Sequence, residues 1–143
     1  MGGTELANRD SSSWACKDQK GDVQVLLWDY TYTLPDSVNN QAYYIKDLPA
    51  KTKGKVKINL SHIPAGRYTM EIYKVGYRVN DAYTNYVDMG RPRQLTLQQV
   101  KKLKEQNGAP VAIQQIEVKP GTTFSREFDI RENDVILINL IKH

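Results

Sequence analysis

At 143 residues with a formal net charge of +4, the chain is large enough for one domain with its own core, and its charge is too mild to declare an acidic partner. A composition of 40% hydrophobic and 9% aromatic residues excludes disordered and fibrous classes. No apolar run approaches the roughly 20 residues of a membrane-spanning helix, and a lone cysteine, Cys16, excludes an internal disulfide.

Met1-Gly2-Gly3 carries no signal-peptide core and reads as a cloning scar; residues 1–12 are polar and are expected to be a linker ahead of a domain spanning 13–143. Trp14 to Cys16 and Val23 to Tyr32 read as strands joined by a turn over Lys17–Gly21. In the second of these, Val23, Val25 and Leu27 share one face, while Leu26, Trp28, Tyr30 and Tyr32 share the other. A strand apolar on both faces belongs in the middle of a sheet. Cys16 beside Trp14 reads as a small buried hydrophobe.

Leu34-Pro35-Asp36-Ser37 and Asn39-Asn40 mark a long loop, followed by strand candidates at Tyr43–Lys46, Lys55–Leu60 and Arg67–Val75. Lys51, Lys53, Lys55 and Lys57 alternate through the segment that carries Val56, Ile58 and Leu60, so cations and aliphatics fall on opposite faces. A solvated face guarded against edge pairing is the reading. A nucleic-acid stripe would need stacking aromatics among these lysines, and there are none.

Two helices interrupt the strands. The first starts at a cap on Asn80 or Asp81 and ends near Gly90; the second has Thr96 as N-cap with Gln99 three residues on, a capping-box pattern, and stops at Asn107-Gly108. Ile113–Lys119 and Thr122–Ile130 then flank Pro120-Gly121, a hairpin signal, and Asp134–Ile141 is a nearly continuous aliphatic run suited to an interior strand. The fold class is therefore mainly β: an antiparallel β-sandwich of about eight strands with a helix-loop-helix excursion around residues 80–107.

Little in the residues supports chemistry. Glycosidic cleavage needs two carboxyl groups roughly 5 to 10 Å apart, and most glutamates here, Glu71 and Glu127 among them, alternate with apolar or cationic neighbours as solvent-facing positions do. His62 and His143 stand alone, without the spacing of a transition-metal site, and Asp129, Asn133 and Asp134 near one turn are explained by turn formation. No catalytic residue, metal site or cofactor is expected. One binding feature remains: Trp28, Tyr30 and Tyr32 alternate along a strand, and rings at that spacing can stack on sugars or line a domain interface.

The run of motifs resembles the C-terminal β-sandwich of glycoside hydrolase family 39, the β-xylosidase and α-L-iduronidase group. The residues that carry the resemblance are Trp14-Ala15 with Val23–Tyr30, Pro64-Ala65-Gly66-Arg67-Tyr68, Asn80-Asp81-Ala82-Tyr83 with Met89-Gly90 and Pro92, and Ile136-Leu137-Ile138. It implies a non-catalytic accessory domain in xylan or plant-polysaccharide degradation, bracing a catalytic (β/α) barrel of the parent chain that holds the catalytic carboxylates. The alternative is a carbohydrate-binding module using Trp28, Tyr30 and Tyr32. Barrel and plant polysaccharide are thus the partners implied, with no nucleic acid and no membrane; an unpaired edge or apolar patch left without its barrel would allow a homodimer of the isolated domain. The compartment of the parent, secreted or cytoplasmic, stays open.

Overall fold

The computed structural model describes residues 2–7, 10–31, 47 and 49–143. Their strands are β1 (Thr4–Leu6), β2 (Ser13–Lys17), β3 (Val23–Trp28), β4 (Thr52–Leu60), β5 (Gly66–Val75), β6 (Ala112–Val118), β7 (Phe124–Arg131) and β8 (Val135–Lys142). Six of them make one sheet in the order β1-β2-β3-β8-β5-β6, and β4 pairs with β7 in a second, two-stranded sheet. Every pairing is antiparallel. The sandwich and its strand number are those the sequence implies. Tyr32 and the strand candidate Tyr43–Lys46 lie outside the described residues.

Period-two patterning builds the core. Val23, Val25 and Leu27 of β3 face Leu140, Ile138 and Ile136 of β8, which in turn face Met70, Ile72 and Lys74 of β5. The apolar members of these rows are buried, as are Tyr68 and Val118. Tyr68 keeps its hydroxyl satisfied by donating to the Pro64 carbonyl at 2.7 Å, and burial pushes its phenol up. From the other sheet Val56 pairs with Phe128 and Leu60 with Phe124, all packed against the core. On the outside of that sheet Lys55 faces Asp129 and Lys57 faces Glu127, a complementary, solvated charge ladder.

Three expectations need correction. The run from Val23 does not continue as a strand to Tyr32: β3 ends at Trp28. Asp29 takes over there, its carboxylate accepting from the Thr31 hydroxyl at 2.6 Å and from the Asn133 N–H of the β7–β8 turn at 3.0 Å, contacts that hold the chain in a turn beyond the ladder. Pro120-Gly121 does form a turn, with Thr122 N–H bonded to the Lys119 carbonyl at 3.2 Å and Gly121 at φ +70°, yet it is not a hairpin. The strands it joins, β6 and β7, belong to different sheets, so the turn is a corner of the sandwich. Within the stretch read as linker, residues 4–6 form β1, anchored by Leu6 against the core.

The helical excursion runs as read, through α1 (Ala82–Asp88) and α2 (Leu97–Gln106). Asp81 caps α1 by accepting from the N–H groups of Tyr83 and Thr84 at 3.0 and 3.3 Å. The capping box of α2 is closed from both sides, by Gln99 N–H to Thr96 Oγ1 at 3.2 Å and Thr96 N–H to Gln99 Oε1 at 2.8 Å. Asn80, in the left-handed region at φ +47°, pins the neck of the excursion. Its amide donates to the carbonyls of Lys74 and Ala109 and accepts from Gly108 N–H.

A buried ion pair bolts the sheets together at one end. The fully buried Asp134 carboxylate receives Lys74 Nζ at 2.7 Å and Arg131 N–H at 2.7 Å. Lys74 also donates to the Asp129 carbonyl of β7, and Arg131 donates to the Tyr77 carbonyl at 2.9 Å. Gly76 passes so close that an added Cβ would collide with Asp134 Oδ1. Removing one partner of such a pair strands a buried charge, so Asp134→Ala is expected to lose about 3–5 kcal/mol in urea unfolding. Gly76→Ala should also be destabilised, whereas Lys57→Ala on the solvated face should stay within about 0.5 kcal/mol of the native chain.

Candidate functional site

The pairing register decides what the sheet shows to the outside. With Val23, Val25 and Leu27 turned inward, Gln24, Leu26 and Trp28 point outward. Register then assembles an apolar row across four strands, Trp14–Leu26–Leu137–Tyr73. A second row lies beside it, Trp28–Val135–Val75. Trp14 is 43% exposed, Val135 39% and Val75 55%, while the other four are half-buried. The next row toward the opposite end is polar at its centre: Gln24 faces Asn139, which faces Glu71. There the Gln24 amide donates to Asn139 at 3.1 Å, and Tyr73 donates its hydroxyl to Glu71 at 3.1 Å, which pushes the phenol up. The outer face therefore carries an apolar patch at one end and a polar centre beyond it, with Ile113 and Ile141 exposed among its further positions.

Against this geometry the three aromatics read from the sequence separate. Trp28 closes the second apolar row at the end of β3. Tyr30 lies beyond the strand end and is 80% exposed. Tyr32 lies outside the described residues. Trp14, Tyr73, Leu137, Val75 and Val135 were not read from sequence as binding residues, because what joins them is register between strands distant in the chain. The available signal was that the runs Val23–Tyr32 and Asp134–Ile141 are apolar on both faces.

Two concavities flank the sheet. The larger, about 730 Å³, opens where the two-stranded sheet leaves the wider one uncovered, with Leu6, Ala15 and Leu27 on one side and Val56, Ile58 and Leu60 on the other. The smaller, about 230 Å³, is bordered by Asp18, Asp22, Gln24 and Asn139. Its carboxylates are engaged in the β2–β3 turn and the end of β8: Asp18 accepts from Lys20 and Asp22 N–H, and Asp22 from Lys142 N–H. Among the described residues no group of three or more His, Cys, Asp or Glu side chains could hold a metal ion. On the excursion, Arg78 clasps Asp47 at 2.7 Å and Asp88 at 3.0 Å, and this holds the Asp47 carboxyl below its ordinary range.

Solved structures of GH39 enzymes are among those to which this chain is similar. A GH39 enzyme from Xanthomonas axonopodis pv. citri superposes with a TM-score of 0.88 at 30% identity, over 99% of this chain and 28% of that one. A monomeric β-xylosidase from Caulobacter crescentus CB15 gives 0.82 at 32% identity, over 96% of this chain and 27% of that one. This chain resembles the C-terminal β-sandwich of family 39 glycoside hydrolases. A GH39 β-xylosidase from Caulobacter crescentus is similar at a TM-score of 0.64 and 25% identity, over 96% of this chain and 24% of that one. The chain thus corresponds to a small part, about a quarter, of these GH39 enzymes. No protein-family model and no curated protein sequence matches it.

The turn that carries Tyr30 depends on ionised Asp29. The hydrogen bond from Thr31 holds the Asp29 carboxyl below its ordinary range, helped by Asn133 N–H and by Lys53 at 4.0 Å. A lowered folded-state pKa gives stability that is present above the unfolded value, about 4, and is lost as the pH falls through the folded value. Asp29→Asn should therefore be less stable than the native chain at neutral pH, with a smaller gap at a pH below the unfolded value of about 4. Paired urea titrations at the two pH values measure it.

Proposed function

We propose that this chain is the non-catalytic β-sandwich accessory domain of a family 39-like glycosidase acting on xylan or a related plant polysaccharide. Its role is to brace a catalytic (β/α) barrel within the parent protein. The observation that carries this reading is the asymmetry of the match: 99% of this chain against 28% of a GH39 enzyme at 30% identity. The described carboxylates agree with a structural role. Asp134 bolts the sheets, Asp81 caps α1, and Asp18, Asp22 and Asp29 hold turns. None of these is poised as the paired acid and base or nucleophile of glycoside cleavage.

Deleting this domain from the parent enzyme is the test. A brace should cost unfolding temperature and soluble yield when removed, and the isolated domain should release no sugar from xylo-oligosaccharides. An unchanged unfolding temperature in the shortened parent would refute bracing.

A second reading, a carbohydrate-binding module, is favoured by Tyr30, which stands 80% exposed two residues past Trp28. In affinity electrophoresis on xylan and arabinoxylan, bracing alone predicts unretarded migration. Retardation abolished by Trp28→Ala or Tyr30→Ala would instead establish glycan binding.

A further inference from the structure

We infer that Asn107-Gly108 is a site of spontaneous deamidation that the fold restrains through Asn80, and that its conversion releases the neck of the helical excursion. Asn107 is the one asparagine of the chain followed by glycine. In the reaction the Gly108 backbone nitrogen gives its proton to solvent base and attacks the Asn107 side-chain carbonyl carbon. The new N–Cγ bond closes a succinimide ring while the Cγ–Nδ2 bond breaks, and the amide nitrogen leaves as ammonia with a proton from water. A second water opens the ring at either carbonyl, giving aspartate or isoaspartate. Glycine has no side chain to obstruct its own nitrogen, and Gly108 is exposed, with nothing within 4 Å of where a Cβ would stand.

The folded chain opposes this reaction at each atom it needs. The Gly108 N–H, which must be deprotonated, donates to Asn80 Oδ1 at 3.0 Å. The leaving amide is held too, its Nδ2 donating to the Leu103 carbonyl at 2.7 Å. Asn107 sits at ψ 134°, an extended angle that turns the Gly108 nitrogen away from the side chain it must reach. Ring closure therefore waits on local opening of the neck.

The same contacts show what conversion does. Asn107 Oδ1 is buried with no hydrogen-bond partner among the described residues, so even the amide is incompletely satisfied there. A carboxylate in its place has no donor for the Leu103 carbonyl and sets a negative charge at the C-terminal end of α2, where the helix dipole disfavours one. Isoaspartate also lengthens the backbone by a methylene just before the bond to Asn80. Since no residue of α2 is buried, the loss stays in the excursion and leaves the core intact.

Peptide mapping of the 143-residue chain held at mildly alkaline pH, folded and in urea, tests this. Asn107 should convert ahead of every other asparagine in urea, and several-fold more slowly in the folded chain. Equal rates in the two conditions would overturn the restraint. Asn80→Gly, which suits the φ of +47° but takes the acceptor from Gly108, should recover most of the urea rate. Asn80→Asp keeps an acceptor oxygen and should stay slow. Equal acceleration in both variants would assign the restraint to the Asn80 bonds to Lys74 and Ala109 and overturn the role given to the Gly108 N–H. Asn107→Asp, the simpler product, should be cut by trypsin several-fold faster than the native chain at Lys101, Lys102 and Lys104, with Lys55 and Lys57 cut no faster. Unchanged cutting within α2 would overturn the release of the neck.

Discussion

The buried Asp134 carboxylate is the constraint around which this sandwich closes. It sits where β7 turns into β8, and two cations and a backbone N–H converge on it. An ion pair taken out of water gains little net stability, because desolvation offsets most of the attraction. Its effect is instead on geometry: each partner has one place to be. Lys74 ties the last turn of β5 to the Asp129 carbonyl of the opposite sheet, and Arg131 reaches the Tyr77 carbonyl where the chain leaves for the helices. The Asp134 carbonyl receives the Asp29 N–H at 2.9 Å, which places the end of β3. One residue thus sets the ends of three strands, through its carboxylate for β5 and β7 and its backbone carbonyl for β3, and no side chain larger than hydrogen fits at Gly76 beside it.

The helical excursion depends on that end without contributing to the core. Thr84 is the one buried residue of α1, none of α2 is buried, and Leu97 stands 90% exposed. Helices this short gain little from propensity alone. Their caps carry them, and the Asn80 amide closes the neck by bonding both the outgoing strand and the returning chain. The excursion is an appendage with its own closure, so its sequence can carry cap signals legible without any knowledge of the sheet.

That explains what could be read from the residues and what could not. Capping is local: Thr96 and Gln99 are three apart, and the box they predict is present. Strand periodicity is local too, and β5, β6 and β8 lie within a residue or two of where alternation puts them. The failures share a cause. Whether Pro120-Gly121 makes a hairpin or a corner depends on which strands β6 and β7 choose, and their partners are β5 and β4. Whether aromatic alternation continues past Trp28 depends on Asn133, 104 positions from Asp29. Trp14, Leu26, Leu137 and Tyr73 become a row only through pairings such as Leu26 with Leu137. Long-range register is not written in the period of any one segment.

The same register makes the two outer surfaces of the sandwich chemically opposite. On the two-stranded sheet, lysines face acidic residues directly across the ladder, an arrangement content in water and worth little if moved out of it. On the six-stranded sheet, two rows of rings and branched aliphatics lie half in solvent, and removing apolar surface from water gains roughly 25 cal/mol per Å². Association has its own entropic cost, which a tethered partner largely avoids because its effective concentration is set by the linker. Of the two surfaces it is therefore the second that gains by being covered, and a tethered partner meets a lower cost in covering it than one arriving from solution.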